Sequence, residues 1–316
     1  MTHGTASRAF LGGLVDYAGL FPPAALALEP ALAEYARHRA GPDAWMLGRF
    51  VVPAARLEAL ASLLAADAAL AAGGAWPLAV LVGAPDLEGA LALLPAQADA
   101  VVACEQARPG LASVEGFELP LPPVTGAAGA LAAALADEGL GGRDLWFEVG
   151  ADVEAALDDI ARAAAARGGP GSDFPRLGAK LRCGGVTAEA FPSVDRVVAV
   201  ISGCAGRSLP LKFTAGLHHP VRHLAEQPPV VMHGFLNVVG AALLAQGGAD
   251  PAVLRDCLQE VEPSAFTLDG AGFAWRGHAV PAASVAAARA HAVGGFGSCS
   301  FDEPRHDLAT LGLPAD

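Results

Sequence analysis

Lysine is nearly missing from this chain. Of the 20 Lys and Arg residues in 316, 18 are arginine, and the two lysines are Lys180 and Lys212. Basic clusters are missing as well. No run of Lys and Arg resembles a nucleic-acid footprint, and a formal net charge of −13 repels a phosphate polymer overall. Nucleic-acid partners are therefore not expected. Patterned cysteines are absent too. Cys104, Cys183, Cys204, Cys257 and Cys299 are scattered, with no CxxC. An odd, unpatterned set suits a reducing compartment better than a disulfide framework, so a cytoplasmic setting is expected. No charged leader followed by an apolar run opens the chain, because Asp16 soon interrupts the first such run. Stretches such as LEALASLLAADAALAAGGAW are broken by charge or glycine, which argues against a membrane partner. No repeat with a period of roughly 20–50 residues, no low-complexity segment and no clear linker is visible.

What remains is apolar and alternating. Hydrophobic residues make up 53% and charged residues 17%, enough apolar material for a large core. Ala, Gly and Arg are favoured throughout, so Ala-rich helices carry little functional information. Short β-leaning runs precede Ala/Leu-rich helical stretches. The expected strands are LGGLVDYAG (11–19), MLGRFVVP (46–53), WPLAVLVG (76–83), DAVVACEQ (99–106), SVEGFELP (113–120), DLWFEVG (144–150), RLGAKLRCGG (176–185), LPLKFTAG (209–216) and GFGSCSF (295–301). One of these is surplus to eight. The first helix is expected to open through Pro22-Pro23, and Asp152 is placed to cap the helix that follows DLWFEVG.

The rhythm changes after 216. Two helices, 233–248 and 250–263, precede a hairpin over 265–277 turning at Asp269-Gly270, then one more helix. Strands separated by helices predict right-handed βαβ units and a parallel sheet. Eight such units in about 250 residues describe a (β/α)8 TIM barrel. The expectation is one domain over 1–316, with an elaborated connection over 217–293 before the last strand. An open doubly wound sheet is the rival, but no GxGxxG follows the first strand.

A barrel's active site lies at the C-terminal ends of its strands. Polar residues late in the expected strands are therefore the candidates. They are Asp16, Arg49, Glu118, Glu148, Lys180 with Arg182, Lys212 with Thr214, and Ser298 with Ser300. Side chains alternate along a strand, so Lys180 and Arg182 share one face while Ala179, Leu181 and Cys183 share the other. Lys212 and Thr214 pair in the same way against Leu211 and Phe213. These charges could simply neutralise one another. The lysine count speaks against that alone. Arginine satisfies a carboxylate better, but a guanidinium forms no Schiff base and does not readily lose its proton. Lysines on neighbouring parallel strands lie roughly 4.8 Å apart, and adjacent ammonium groups should depress one pKa. The 32 residues from 180 to 212 suit one βαβ step.

GAKLRCGGVTAE followed by LPLKFTAGL resembles the two-lysine signature of deoxyribose-phosphate aldolase and related class I aldolases. The resemblance covers about residues 177–216. It implies lysines late on the sixth and seventh barrel strands. It also implies Lys180 as the Schiff-base nucleophile and Lys212 as the residue that tunes its pKa. Where that family carries a hydroxyl-rich run, this chain has Leu181-Arg182-Cys183. The family's catalytic aspartate has no clear match, leaving Glu118 or Glu148 as substitutes. Over its whole length the chain is more similar to a little-characterised bacterial family carrying DYAGLFPPA, KFTAGLHHP, HGFLN and GSCSFDEP.

His218, His219, His223 and His233 form a local group among nine histidines. His219 and His223 have helical spacing, with Pro220 as a possible first helical residue. His233 and Asn237, also four apart, should share a helix face. These side chains suit proton transfer or substrate hydrogen bonding, with His218 and His233 as catalytic candidates and His219 and Asn237 as binding candidates. A divalent metal held by His233, another histidine and Glu148 is the alternative. No cofactor is otherwise expected. The Gly294–Ser298 run and Thr214-Ala215-Gly216 fall where barrels often hold an anion. Asp302, Glu303 and Arg305 may be read simply as anchors of the C-terminal tail.

Three functions stay open. The first is an aldolase-type lyase acting on a small anionic carbonyl compound. The second is a metal-dependent barrel hydrolase, isomerase or lyase. The third is a non-catalytic binding barrel. Homo-oligomerisation is left open as well.

Overall fold

The computed structural model describes residues 5–71, 73–168, 173–226 and 229–313. Residue 72, in the helix expected over 54–74, and residue 169, at the end of the helix expected over 152–169, lie outside that set. In chain order the strands are β1 (Val15–Tyr17), β2 (Leu47–Pro53), β3 (Trp76–Leu81), β4 (Ala112–Pro120), β5 (Asp144–Glu148), β6 (Leu177–Arg182) and β7 (Leu211–Thr214). A hairpin follows, β8 (His223–Glu226) and β9 (Pro229–Met232), then a small sheet of β10 (Phe266–Asp269), β11 (Gly272–Trp275) and β12 (His278–Pro281). The last strand is β13 (Val293–Ser298).

Strands β1 to β7 and β13 close into one barrel in that order, and every neighbouring pair is parallel. Helices alternate with the strands around it, so the architecture is a (β/α)8 barrel. The connection before the last strand is elaborated as expected. It holds the β8–β9 hairpin, helices Phe235–Gln246 and Pro251–Gln259, the β10–β12 sheet and helix Ala282–His291. Helix Phe235–Gln246 is apolar almost all round, and ten of its residues are buried.

The surplus strand is 99–106. Those residues continue the helix Leu87–Ala107, which begins at Asp86 capping the Gly89 amide at 2.8 Å. Pro95 breaks the sequence signal but not the helix. Leu94, Ala98, Val101 and Cys104 recur at helical spacing and form its buried face, so packing overrides the apparent β run. By length and composition alone this helix is long and apolar enough to cross a membrane. The first helix also departs from expectation: Pro22-Pro23 lies in a loop, and the helix spans Leu28–Arg39. Asp152 does cap its helix, accepting from the Ala155 amide at 3.0 Å. The 265–277 hairpin forms, with β12 added to it.

Between the barrel and the helix Leu28–Arg39, four buried rings pack in tilted and edge-to-face contacts. Tyr35 lies 4.9 Å from Trp76 and 5.4 Å from Phe50, and Tyr17 packs against both Tyr35 and Phe50. This wedge fixes the first two strands against the outer layer.

Candidate active site

Alternation along β6 and β7 places the functional side chains. Ala179, Leu181 and Phe213 are buried in the core, and Lys180 and Lys212 point the other way, into the barrel. The two lysines are register partners, and Glu148 on β5 is aligned with Lys180. Glu118, late on β4, lies between the two ammonium groups. Its Oε2 is 3.0 Å from Lys180 Nζ and its Oε1 is 2.5 Å from Lys212 Nζ. Lys180 also pairs with Glu148 at 3.0 Å, and Lys212 with Asp16 at 2.5 Å.

This geometry reverses the expected electrostatics. Burial disfavours the Lys180 charge, but Glu118 and then Glu148 outweigh it, so its pKa is raised, not depressed by the other lysine. Burial likewise works against ionised Glu118, yet Lys180 and Lys212 pull its pKa down to about 2. The resting site is a chain of alternating charges, Glu148–Lys180–Glu118–Lys212–Asp16.

The lysines differ in access. Lys180, Glu118, Glu148, Arg182, Thr214 and His218 line a cavity of about 160 Å³ at the mouth of the barrel. Lys212 instead borders a cavity at the opposite end, beside Asp16 and Arg49. Arg182 leaves β6 at the mouth, its Nε donating to the Gly184 carbonyl at 3.0 Å. The loops after β6 and β7 touch at Gly184 and Gly216. Gly216 has φ +69°, and a Cβ there would lie 2.8 Å from the Gly184 Cα and 2.9 Å from the Cys183 carbonyl oxygen. Only glycine allows both the left-handed turn and that approach.

A second mouth cavity of about 760 Å³ adjoins the first and shares Pro22, Ala215, Gly216, His218 and Cys299 with it. His219, His223 and Ser300 line it. His218 Nδ1 lies 2.7 Å from Glu303, and its Nε2 is 3.8 Å from the Cys299 sulfur. Burial opposes its charge, but the bonds to Cys299 and Glu303 raise its pKa to about 9. His219 pairs with Asp307 at 2.6 Å, and its ring meets His223 edge-on at 4.4 Å. No helix starts at Pro220; residues 217–222 form a loop.

Several expected site residues lie elsewhere. Arg49 is the third residue of β2, so it lies at the floor of the barrel and pairs with Glu115 and Asp144, each at 3.0 Å. Asp16 is an ion-pair partner of Lys212 and accepts the Arg49 amide at 2.6 Å, away from the mouth. Asn237 is buried inside its helix. It accepts from the Arg222 amide and donates to the Cys257 and Glu260 carbonyls, joining three segments. His233 precedes that helix and shares no face with Asn237; its Nε2 lies 2.9 Å from the Pro192 carbonyl, and burial lowers its pKa. Ser298 is buried, and its hydroxyl accepts from the Ser300 amide. Glu148 faces Lys180 and not His233, so the expected metal set is not assembled. Among the described residues, no group of three or more His, Cys, Asp or Glu is arranged to hold a metal ion. Asp302 and Arg305 do anchor the tail, through Arg37 and Asp43. Cys299 and Glu303 are the mouth residues that sequence reasoning missed as functional candidates. Their signal was GSCSFDEP, a thiol at a strand end just before a helix.

No protein-family model matches the sequence, and no curated protein matches it. Among solved structures, dihydrodipicolinate synthase from Bacillus clausii is similar at 13% identity over 66% of this chain, with a TM-score of 0.33. A Pseudomonas aeruginosa protein provisionally assigned as an aldo-keto reductase is similar at 15% identity over 78%, with a TM-score of 0.37. The chain spans 63% of the first protein and 92% of the second.

Proposed function

We propose that this barrel is an aldolase-type lyase that binds a small anionic carbonyl compound as a Schiff base on Lys180. The observation that carries this reading is the unequal placement of two lysines around one carboxylate. Lys180 faces the mouth cavity, while Lys212 is buried beneath it, 1% exposed, and shares Glu118. A primary amine facing a cavity, with carboxylates to move its proton, is the equipment for iminium chemistry.

The roles divide by geometry. Glu118, held ionised between two cations, is a poor proton acceptor and serves as the fixed counter-charge. Glu148 has one ion-pair partner and a side chain 30% exposed at the same cavity. It takes one ammonium proton so that Nζ can add to the carbonyl carbon, a second Nζ proton passes to the carbonyl oxygen to give the carbinolamine, and Glu148 returns the first proton to that hydroxyl as it leaves as water. The iminium then takes up the electron pair of the bond between the α- and β-carbons as the β-hydroxyl loses its proton, so the β-carbon fragment leaves as an aldehyde. The enamine left on Lys180 is protonated at the α-carbon and hydrolysed to free the second product. Arg182, and Thr214 beside it, supply the anion and hydroxyl contacts. Five free thiols accord with a reducing, cytoplasmic setting.

The test is trapping. The protein is incubated with a panel of small aldehydes and keto acids, reduced with borohydride, and mapped by mass spectrometry. A reduced adduct on the peptide carrying Lys180 is expected, and Lys180→Arg should abolish it. No adduct with any carbonyl, together with stoichiometric metal in the purified protein, would sink the proposal in favour of metal chemistry. Neither adduct, metal nor turnover would leave a binding barrel.

A further inference from the structure

Four of the five cysteines are packed into the core. Cys104, Cys183, Cys204 and Cys257 are buried, and burial pushes every one of these thiols up, Cys104 to about 11 and Cys204 to about 12. Cys299 is buried as well, 9% exposed, but has different surroundings. It follows the last residue of β13 and lines both mouth cavities. Its sulfur lies 3.8 Å from Nε2 of His218, whose Nδ1 is 2.7 Å from Glu303 in the first turn of helix Asp302–Thr310. Ser300 fixes that turn by accepting the Glu303 amide at 3.2 Å.

Three segments thus converge on one thiol: the loop after β7, the end of β13 and the last helix. A carboxylate that accepts Nδ1–H leaves Nε2 as the acceptor that faces the sulfur. A thiolate, not a thiol, is the nucleophile, and an adjacent imidazole is a standard means of making one. The other titratable groups around the pair are few. His219 and Asp307 act on His223, His219 also acts on Glu303, and Tyr17 on β1 interacts with Cys299.

We propose that Cys299 is a nucleophilic thiolate, generated by His218 and Glu303, that adds to the carbonyl carbon of a small aldehyde in the larger mouth cavity. The carbon–sulfur bond forms as the carbonyl π pair moves onto oxygen. His218 returns to that oxygen the proton it took from the thiol, so the product is a neutral thiohemiacetal and no co-reactant is consumed. An aldehyde is the carbonyl class with the least hindered carbon. Val186, Phe191 and Met232 give the cavity apolar wall, and His219 and Ser300 give it polar wall, which suits a short chain with a polar end. This chemistry does not rest on Schiff-base formation at Lys180.

The full-length protein is alkylated with iodoacetamide across a pH series, and the sites are mapped by peptide mass spectrometry. Cys299 should react at least about 10-fold faster than any other cysteine at neutral pH, on a profile already near its plateau. His218→Ala should slow it by at least about 10-fold and return the midpoint to the ordinary thiol range near 8.5. Glu303→Gln, a milder change, should shift the profile in the same direction, and it decides the matter if His218→Ala does not fold. A small aldehyde such as glycolaldehyde should protect Cys299 reversibly, including in Lys180→Arg, where no Schiff base can form at position 180. That arm separates failure here from failure of the lysine chemistry. An ordinary thiol profile for Cys299 in the wild type would overturn the proposal. So would an unchanged rate in the folded histidine or glutamate variant, or no protection by aldehyde.

Discussion

Glu118 carries two ammonium groups on one buried carboxylate, and its energetics can be measured. In the fold its pKa is about 2, against an ordinary value of 4.5. Between those values the unfolded chain binds the extra proton. The stabilisation is therefore complete above about pH 4.5 and is lost as pH falls toward 2, an integral of about 3 kcal/mol. Urea unfolding over that window should show the slope in the wild type, and Glu118→Gln should lack it. That variant should also lose about 3–5 kcal/mol at neutral pH, because two buried cations lose their shared partner. For Lys180 the sign is opposite. Its raised pKa contributes stability that is present below the ordinary lysine value and is lost as pH climbs through the folded value. Glu148→Gln should slow trapping at Lys180 by about 100-fold or more, the usual effect of removing a general base. At this scale the sequence was informative about Lys180, Lys212, Glu118 and Glu148, because lysine scarcity and strand alternation both mark them. The bridging position of Glu118 was not legible, since it depends on contacts between β4, β6 and β7. Arg49 misled because it is polar but early in its strand, and depth along a barrel strand is set by register, not by residue type.

Elements fix the mouth through one short-range device. The loops after β6 and β7 meet at Gly184 and Gly216, and the backbone turns left-handed at Gly216. Gly216→Ala should destabilise by about 1–2 kcal/mol or more from the φ alone, with the close approach adding to it. A lower thermal midpoint and slower trapping at Lys180 should accompany it, because the loop carries a wall of the cavity. Asn237 is the contrasting case. Asn237→Ala removes three hydrogen bonds that join the 222 loop to helix Pro251–Gln259 and to the residue that follows it, and should cost about 2–4 kcal/mol in urea unfolding. The borohydride-trapped adduct at Lys180 should still form in that variant, because the side chain lies away from the mouth. The sequence placed Asn237 on a functional face because it lies four residues after His233, the spacing of one helix face. The structure gives the polarity a structural use inside a helix buried on nearly all sides. The helix Leu87–Ala107 shows the converse limit: Pro95 and two adjacent valines imitate a strand boundary, and only the buried Leu94–Cys104 face reveals the continuous helix.

For the whole molecule, alternating strands and helices were enough to predict a closed parallel barrel. They also indicated that the last connection is elaborated. The β8–β9 hairpin and the third strand of the small sheet were not legible. β8 and β9 are four residues each and, among the described residues, pair only with each other, and β12 pairs only because β10 and β11 already present an edge. The barrel converts that topology into two lysines of unequal access around one carboxylate, and the Schiff-base reading at Lys180 depends on that inequality. A chain with only two lysines allows it to be tested in solution. Protein grown with isotope-labelled lysine gives two side-chain ε-carbon resonances in a carbon NMR spectrum, assigned with Lys180→Arg. Addition of a trapping-competent carbonyl compound should move the Lys180 resonance to an imine or, after borohydride, a secondary-amine position, and leave Lys212 in place. Movement of the Lys212 resonance instead, or of neither under any carbonyl tested, would contradict the account.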